Sequence, residues 1–199
     1  MSAAPVNAIL VAGVGNIFLS DDGFGVEVVR RLAERELPAG VEVVDVGIRG
    51  MHLAYQLLDG YTALVLVDTT ARGGAPGQLY LLEHDLSAVR APGDDSVDDL
   101  TVPDAHDMSP DTVLALLGSL ATSAGLEPTA GLRRVLVVGC EPASTADGIG
   151  LSDPVLAAVD RAATAVTRVV AELLAELAPT ATDDHAELRG AVHVPRHTG

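Results

Sequence analysis

The chain is predicted to fold as a layered α/β domain. Short apolar runs alternate with amphipathic stretches from Asn7 to about Pro179. Two of the runs, Leu64-Val65-Leu66-Val67 and Val135-Leu136-Val137-Val138, are continuous rather than alternating. Both faces of each are therefore expected to be buried, as in central strands of a parallel sheet covered by helices. Strands are expected near 7–13, 41–46, 62–68, 77–83 and 132–139.

The connecting elements follow from helical spacing. Over 22–37, Val28, Val29, Leu32 and Ala33 share one face and Glu27, Arg30, Arg31 and Glu34 the other, the stripe of a helix lying on a sheet. A second helix, about 109–121, begins at Ser109-Pro110-Asp111 and buries Val113, Leu114, Leu116 and Leu117. The last is expected to start at Asp153 as cap with Pro154 in its first turn, to repeat Val155, Val159, Ala162, Val166, Val169 and Leu173, and to stop at Pro179. The segment Ala91-Pro92-Gly93-Asp94-Asp95-Ser96-Val97-Asp98-Asp99 reads as an acidic, solvated loop, and 180–199 as a polar tail expected to be disordered. Residues 1–179 are expected to form a single domain, with no internal repeat.

Composition narrows the partners. A chain of 199 residues buries roughly 70% of its unfolded surface as one domain and needs no staples. The formal net charge is −16, and every one of the 12 basic residues is arginine. Nucleic acid is excluded as an expected partner because phosphate neutralisation needs a basic surface, and an anionic membrane is disfavoured for the same reason. A metal cation or a basic peptide fits the field better. The lone cysteine, Cys140, has no partner for an internal disulfide and follows an apolar strand, so it reads as a small core residue. No charged segment precedes an apolar run at the N-terminus, so the expected location is the cytoplasm, without membrane insertion.

The first strand runs into Gly13-Val14-Gly15-Asn16-Ile17-Phe18-Leu19-Ser20-Asp21-Asp22-Gly23-Phe24-Gly25. A GxGxxG loop presents bare N–H groups and a helix N-terminus to a pyrophosphate. Here Phe18 stands where the third glycine belongs, and two carboxylates precede the helix. They repel a phosphate and attract a cation, so the loop reads as half of a metal site. Asp22 after the first strand, Asp68 at the end of the third and His106 ahead of the 109–121 helix could meet outside the carboxyl ends of the strands. Such a mixed oxygen and nitrogen set suits nickel, zinc, manganese or iron(II) and leaves positions open for water or substrate. Each residue also has an ordinary reading: Asp21 or Asp22 as a helix cap, Asp68 as a turn cap, His106 as a loop histidine. His52 and His84 lie on or beside regular elements, and His185, His193 and His197 belong to the tail. Neither HExxH nor GxSxG occurs.

That first block, followed in order by Gly47-Ile48-Arg49-Gly50-Met51, Leu66-Val67-Asp68, Gly139-Cys140-Glu141-Pro142 and Gly148-Ile149-Gly150-Leu151-Ser152, resembles the hydrogenase maturation proteases over about 7–178. The resemblance implies a three-layer α/β/α sandwich of the phosphorylase/hydrolase-like kind around a twisted, mostly parallel five-stranded sheet. It also implies an endopeptidase that removes a C-terminal extension from the large-subunit precursor of a nickel-iron hydrogenase once nickel is in place. The family's nickel-contacting positions map to Asp22, Asp68 and His106, with nickel supplied by the substrate. Members of the family have Glu where this chain has Asp22, one methylene longer. The connection from Glu83 to His106 is longer and more acidic than the family's.

The mechanistic expectations follow from that mapping. Asp22 and Asp68 are candidate catalytic groups and Asp21 a candidate base or supporting group. Gly47 and Gly50 are expected to form a tight turn along which the substrate tail passes, or simply the start of a helix. Hydrolysis could use the metal as a Lewis acid or an aspartate as general base. Two other classes of function remain at this point: a metal-dependent chaperone that binds the precursor without cutting it, and a nucleotide-binding Rossmann-like domain.

Overall fold

The computed structural model of the protein describes residues 9–86 and 110–177. Five strands, β1 (Ile9–Val14), β2 (Val41–Gly47), β3 (Ala63–Thr69), β4 (Leu79–Glu83) and β5 (Arg134–Cys140), form one sheet in the order β2-β1-β3-β5-β4. The pairs β1–β2, β1–β3 and β3–β5 are parallel, and β4 runs antiparallel to β5. The two continuous apolar runs are β3 and β5, paired Leu64 to Val135 through Val67 to Val138 in the interior of the sheet. Glu42, Asp45 and Glu83 fall on the edge strands β2 and β4, where a charged side chain reaches water.

Alternation along the strands builds two cores. Ile9, Val11, Val65 and Val67 face α1 (Phe24–Ala33) and α5 (Val159–Leu177), meeting Val28, Leu32, Val166 and Val170. Leu10, Ala12, Leu64 and Leu66 face α2 (Gly50–Leu57) and α3 (Pro110–Ser123), meeting Leu53, Leu57, Val113 and Leu117. This is the α/β/α sandwich with a mostly parallel sheet. Nearly every core side chain is Val, Leu, Ile or Ala, with Phe24 the largest that is fully buried.

Three local expectations need correction. The helix expected over 22–37 begins at Phe24, after a 3-10 turn at Ser20–Gly23, and ends at Ala33. Pro38 disfavours helical geometry in Leu37, so the last expected turn does not form. The helix expected from Asp153 to Pro179 is two pieces, α4 (Asp153–Leu156) and α5. Ser152, not Asp153, is the N-cap residue. At the junction Ala158 N–H bonds back to Val155 rather than to residue 154, which breaks the four-residue ladder. Helix α2 entered the expectations only as the alternative reading of the Gly47–Gly50 turn, yet β2 and β3 flank β1 in parallel and so need a crossover element between them. Of the described segments, the chain beyond Leu177 and the acidic stretch 91–99 form no part.

The connectivity places the site. From β1 the chain passes through α1 on one face to β2, then through α2 on the other face to β3 on the opposite side of β1. At such a reversal the two connections part and leave a crevice above the carboxyl ends of the neighbouring strands. Here those ends are Val14 and Thr69.

Candidate active site

Asp22 is carried to the crevice by close approach of backbone. Gly15 has φ +131°, and a Cβ there would run into the carbonyl oxygen of Asp22. A Cβ on Gly25 would collide with the carbonyl oxygens of Val14 and Val67, so α1 starts in contact with the ends of β1 and β3 together. The Asp22 carboxylate then turns back on its own loop. Its Oδ2 accepts the Asn16 N–H at 2.6 Å and its Oδ1 accepts the Thr69 hydroxyl at 3.3 Å. An N–H group that a bound phosphate would require is thus already satisfied from within the chain.

Asp68 is partly buried at the end of β3, where its Oδ1 accepts the Thr69 N–H at 2.7 Å. Burial pushes its carboxyl up to about 8; the Thr69 bond opposes this and the nearby Asp22 charge adds to it. At neutral pH Asp68 therefore holds its proton. Asp22 and Asp68 line one cleft of about 860 Å³, shared with Asn16, Ile48, Arg72 and His84. The sequence-predicted aspartates, Asp22 from the turn after β1 and Asp68 from β3, are brought together.

Asp21, adjacent to Asp22, has a different environment. It is fully buried and does not line the cleft. Its carboxylate accepts the N–H groups of Ala143 and Ser144 at 2.8 and 3.1 Å, the Ser152 N–H at 2.6 Å and the Ser152 hydroxyl at 3.0 Å. Burial alone would raise its pKa, but the bonds from Ser152, Ser144 and Ala143 together hold it below the ordinary aspartate value. The Ser20 N–H on the Gly148 carbonyl and the Gly148 N–H on the Phe18 carbonyl complete a seam between the loop after β1 and the loop after β5.

Glu141, only 6% exposed, does the same for the loop after β3. It accepts the N–H groups of Arg72 and Gly73 at 2.8 and 3.0 Å and the Tyr80 hydroxyl at 2.7 Å. Its pKa is lowered, first by the Tyr80 bond and then by the Arg72 N–H. Sequence reasoning quoted Glu141 without giving it a role. A glutamate directly after a fully buried strand was the available signal, since a buried carboxylate needs several donors.

The remaining candidates divide. Gly47 has φ +56°, and its carbonyl accepts the Gly15 N–H at 3.0 Å, tying the β2 turn to the glycine loop. Gly50 is the buried first residue of α2, and Ile48 between them lines the cleft. His106 lies outside the described residues. His84 borders the cleft with its Nε2 3.4 Å from Asp111 Oδ1. Among the described residues no three His, Cys, Asp or Glu side chains are grouped to hold a metal ion. Cys140 is buried, and burial pushes its thiol up to about 11, as expected of a core residue. No described helix is long and apolar enough to cross a membrane.

Comparison with known proteins follows the same lines. A family profile described as hydrogenase maturation protease matches residues 26–169. The hydrogenase expression/formation protein HoxM of Azotobacter vinelandii is 33% identical over 183 residues, covering 90% of this chain and 79% of that protein. A shorter match, to HupD of Rhodobacter capsulatus, is 38% identical but spans 43% of this chain and only 40% of that protein. Among solved structures, the hydrogenase maturating endopeptidase HybD from Escherichia coli superposes with a TM-score of 0.61 at 31% identity, over 83% of this chain and 93% of that one. These matches and the filled glycine loop set aside the nucleotide-binding alternative. A profile match over most of the chain, a relative 33% identical over 90% of it and a shared fold make this protein a member of the hydrogenase maturation protease family.

Proposed function

We propose that the protein is the endopeptidase that removes a C-terminal extension from the nickel-loaded large-subunit precursor of a nickel-iron hydrogenase in the cytoplasm. The observation that carries the reading is the pair Asp22, in the 3-10 turn after β1, and Asp68, near the end of β3, lining one cleft at the sheet's reversal point. Nickel enters as part of the substrate. Asp22, Asp68 and, from outside the described residues, His106 are assigned as the side chains that meet it. Oxygen and imidazole donors suit such a borderline cation.

The cleft also suits the hydrolysis itself. Asp68 carries a proton at neutral pH for the amide nitrogen that leaves, and the Asp22 carboxylate is the acceptor for a proton of the attacking water. The C–N bond breaks as the water oxygen bonds to carbon, and the two protons end on the new amine and the acid pair. A cation docked beside the pair favours release of the Asp68 proton, which links binding of the loaded precursor to delivery of that proton to the leaving nitrogen. We assign Asp21 a positioning role, because its oxygens are engaged with the 143–152 loop. The Gly47–Gly50 turn is assigned as the wall along which the substrate tail lies, supported by Ile48 at the cleft.

The experiment is mass spectrometry of a purified large-subunit precursor, nickel-loaded and nickel-free, after incubation with the protein. Loss of a C-terminal peptide from the loaded form alone is expected, and Asp22→Ala, Asp68→Ala and His106→Ala each abolish it in a folded protein. An intact loaded precursor that nevertheless binds tightly would replace this reading with the chaperone one.

A further inference from the structure

The loop after β3 carries the one arginine among the described residues that borders the cleft. Arg72 sits with its guanidinium 6.0 Å from the centre of the Tyr80 ring, in a cleft whose other charged linings are Asp22, Asp68, Glu83 and His84. Most described arginines have a partner in the chain. Arg30, Arg31, Arg134 and Arg168 form ion pairs, while Arg49 and Arg161 donate to main-chain carbonyls. Arg72 makes no ion pair with any described residue. Among the described residues this leaves an exposed guanidinium with no carboxylate partner in an acid-lined cleft of a chain with net charge −16.

Its mounting is rigid. The backbone N–H groups of Arg72 and Gly73 both donate to the buried Glu141 carboxylate, and so does the hydroxyl of the Tyr80 ring beneath the guanidinium. One carboxylate therefore fixes the loop and the platform, and Arg72 lines the cleft. Stacking on an aromatic face leaves the guanidinium edge free, and that edge matches a carboxylate through two parallel N–H bonds.

We propose that Arg72 is a carboxylate-binding subsite that reads an acidic group of the peptide being cut. The proposal rests on the reading of this cleft as the cleavage site. Arg72 lies four residues beyond Asp68, so their Cα atoms are at most about 14 Å apart, the span of about four extended residues. Adding roughly 7 Å for the reach of the arginine side chain, the acidic group it reads lies within about six residues of the scissile bond. With the aspartates meeting a cation at one end and Arg72 meeting an anion at the other, the cleft fixes the direction in which the peptide lies. The carboxylate is either a Glu or Asp side chain or the chain terminus of the extension.

The test uses the full-length protein, the nickel-loaded precursor and a labelled synthetic peptide carrying its extension and the residues flanking the cut. Arg72→Gln is expected to lower kcat/KM for the precursor and to weaken peptide binding by roughly 10- to 100-fold, with thermal stability unchanged. Changing each Glu or Asp within that window to its amide, or amidating the peptide's C-terminus, identifies the source. The right change lowers wild-type binding by the same factor and Arg72→Gln no further. Arg72→Glu is expected to prefer a substrate in which that acid is replaced by Lys. Equal kinetics and binding for wild type and Arg72→Gln, or losses that simply add, would overturn the subsite. If the wild type does not cut the loaded precursor, the functional reading fails first. Peptide binding then decides the subsite alone: it stands on a difference between wild type and Arg72→Gln and falls without one.

Discussion

Asp21→Ala separates a structural carboxylate from a chemical one at a position where two aspartates stand side by side. The substitution leaves three main-chain N–H groups and one hydroxyl without their acceptor in a fully buried place. Each orphaned donor costs about 1–3 kcal/mol, but the four converge on one group and relax together. Breaking a buried charged network costs about 3–5 kcal/mol, and we expect a loss in that range. In a domain of this size that lowers Tm by about 10 °C. Urea unfolding followed by circular dichroism at pH 7 measures it. The sign of the pH dependence is fixed as well. Asp21 has a folded-state pKa below an ordinary aspartate's 3.8, so its contribution is complete above that value and fades as pH falls through the folded one. The gap between wild type and variant therefore narrows in acid. At a temperature where the variant stays folded, it should still process precursor. A variant with wild-type stability and no processing would refute the reasoning and make Asp21 part of the chemistry.

Two further outcomes are expected. Asp68 keeps to about pH 8 a proton that the unfolded chain loses near 3.8, so it lowers stability as pH rises across that window. Asp68→Asn is thus expected to be stabilising, from near zero at pH 4 to about 3 kcal/mol at pH 8, half the full linkage value because water in the cleft screens the charge. Urea midpoints across pH show it, and a pH-independent difference would count against the buried acid. Gly25→Ala drives a methyl into the carbonyls of Val14 and Val67, for a loss of about 3 kcal/mol. A wild-type urea midpoint would show that α1 can move away from the strands without penalty.

The layers of this fold were legible because β3 and β5 are apolar on both faces, which only a covered parallel sheet accommodates. The orientation of β4 was not, since an edge strand with one exposed face reads alike in either direction. Helix α2 was hidden by its length, with Leu53, Ala54 and Leu57 too few to establish a period. At the site, Asp22 and Asp68 could be placed by strand ends alone. What separates Asp21 from Asp22 is the 3-10 turn they share, where successive side chains diverge by about 120°, so one enters the cleft and the other the 143–152 loop. Sequence records the pair and not the angle.

The seam between Asp21 and Ser152 joins positions 131 residues apart. During synthesis the glycine loop emerges early, yet the donors that fix it appear only when residues 143–152 have left the ribosome. Contacts of such separation form late and slowly. A nascent chain therefore carries its two cleft aspartates without the scaffold that orients them. A cleft assembled in this way is incomplete through most of translation, a timing set by the order of the chain.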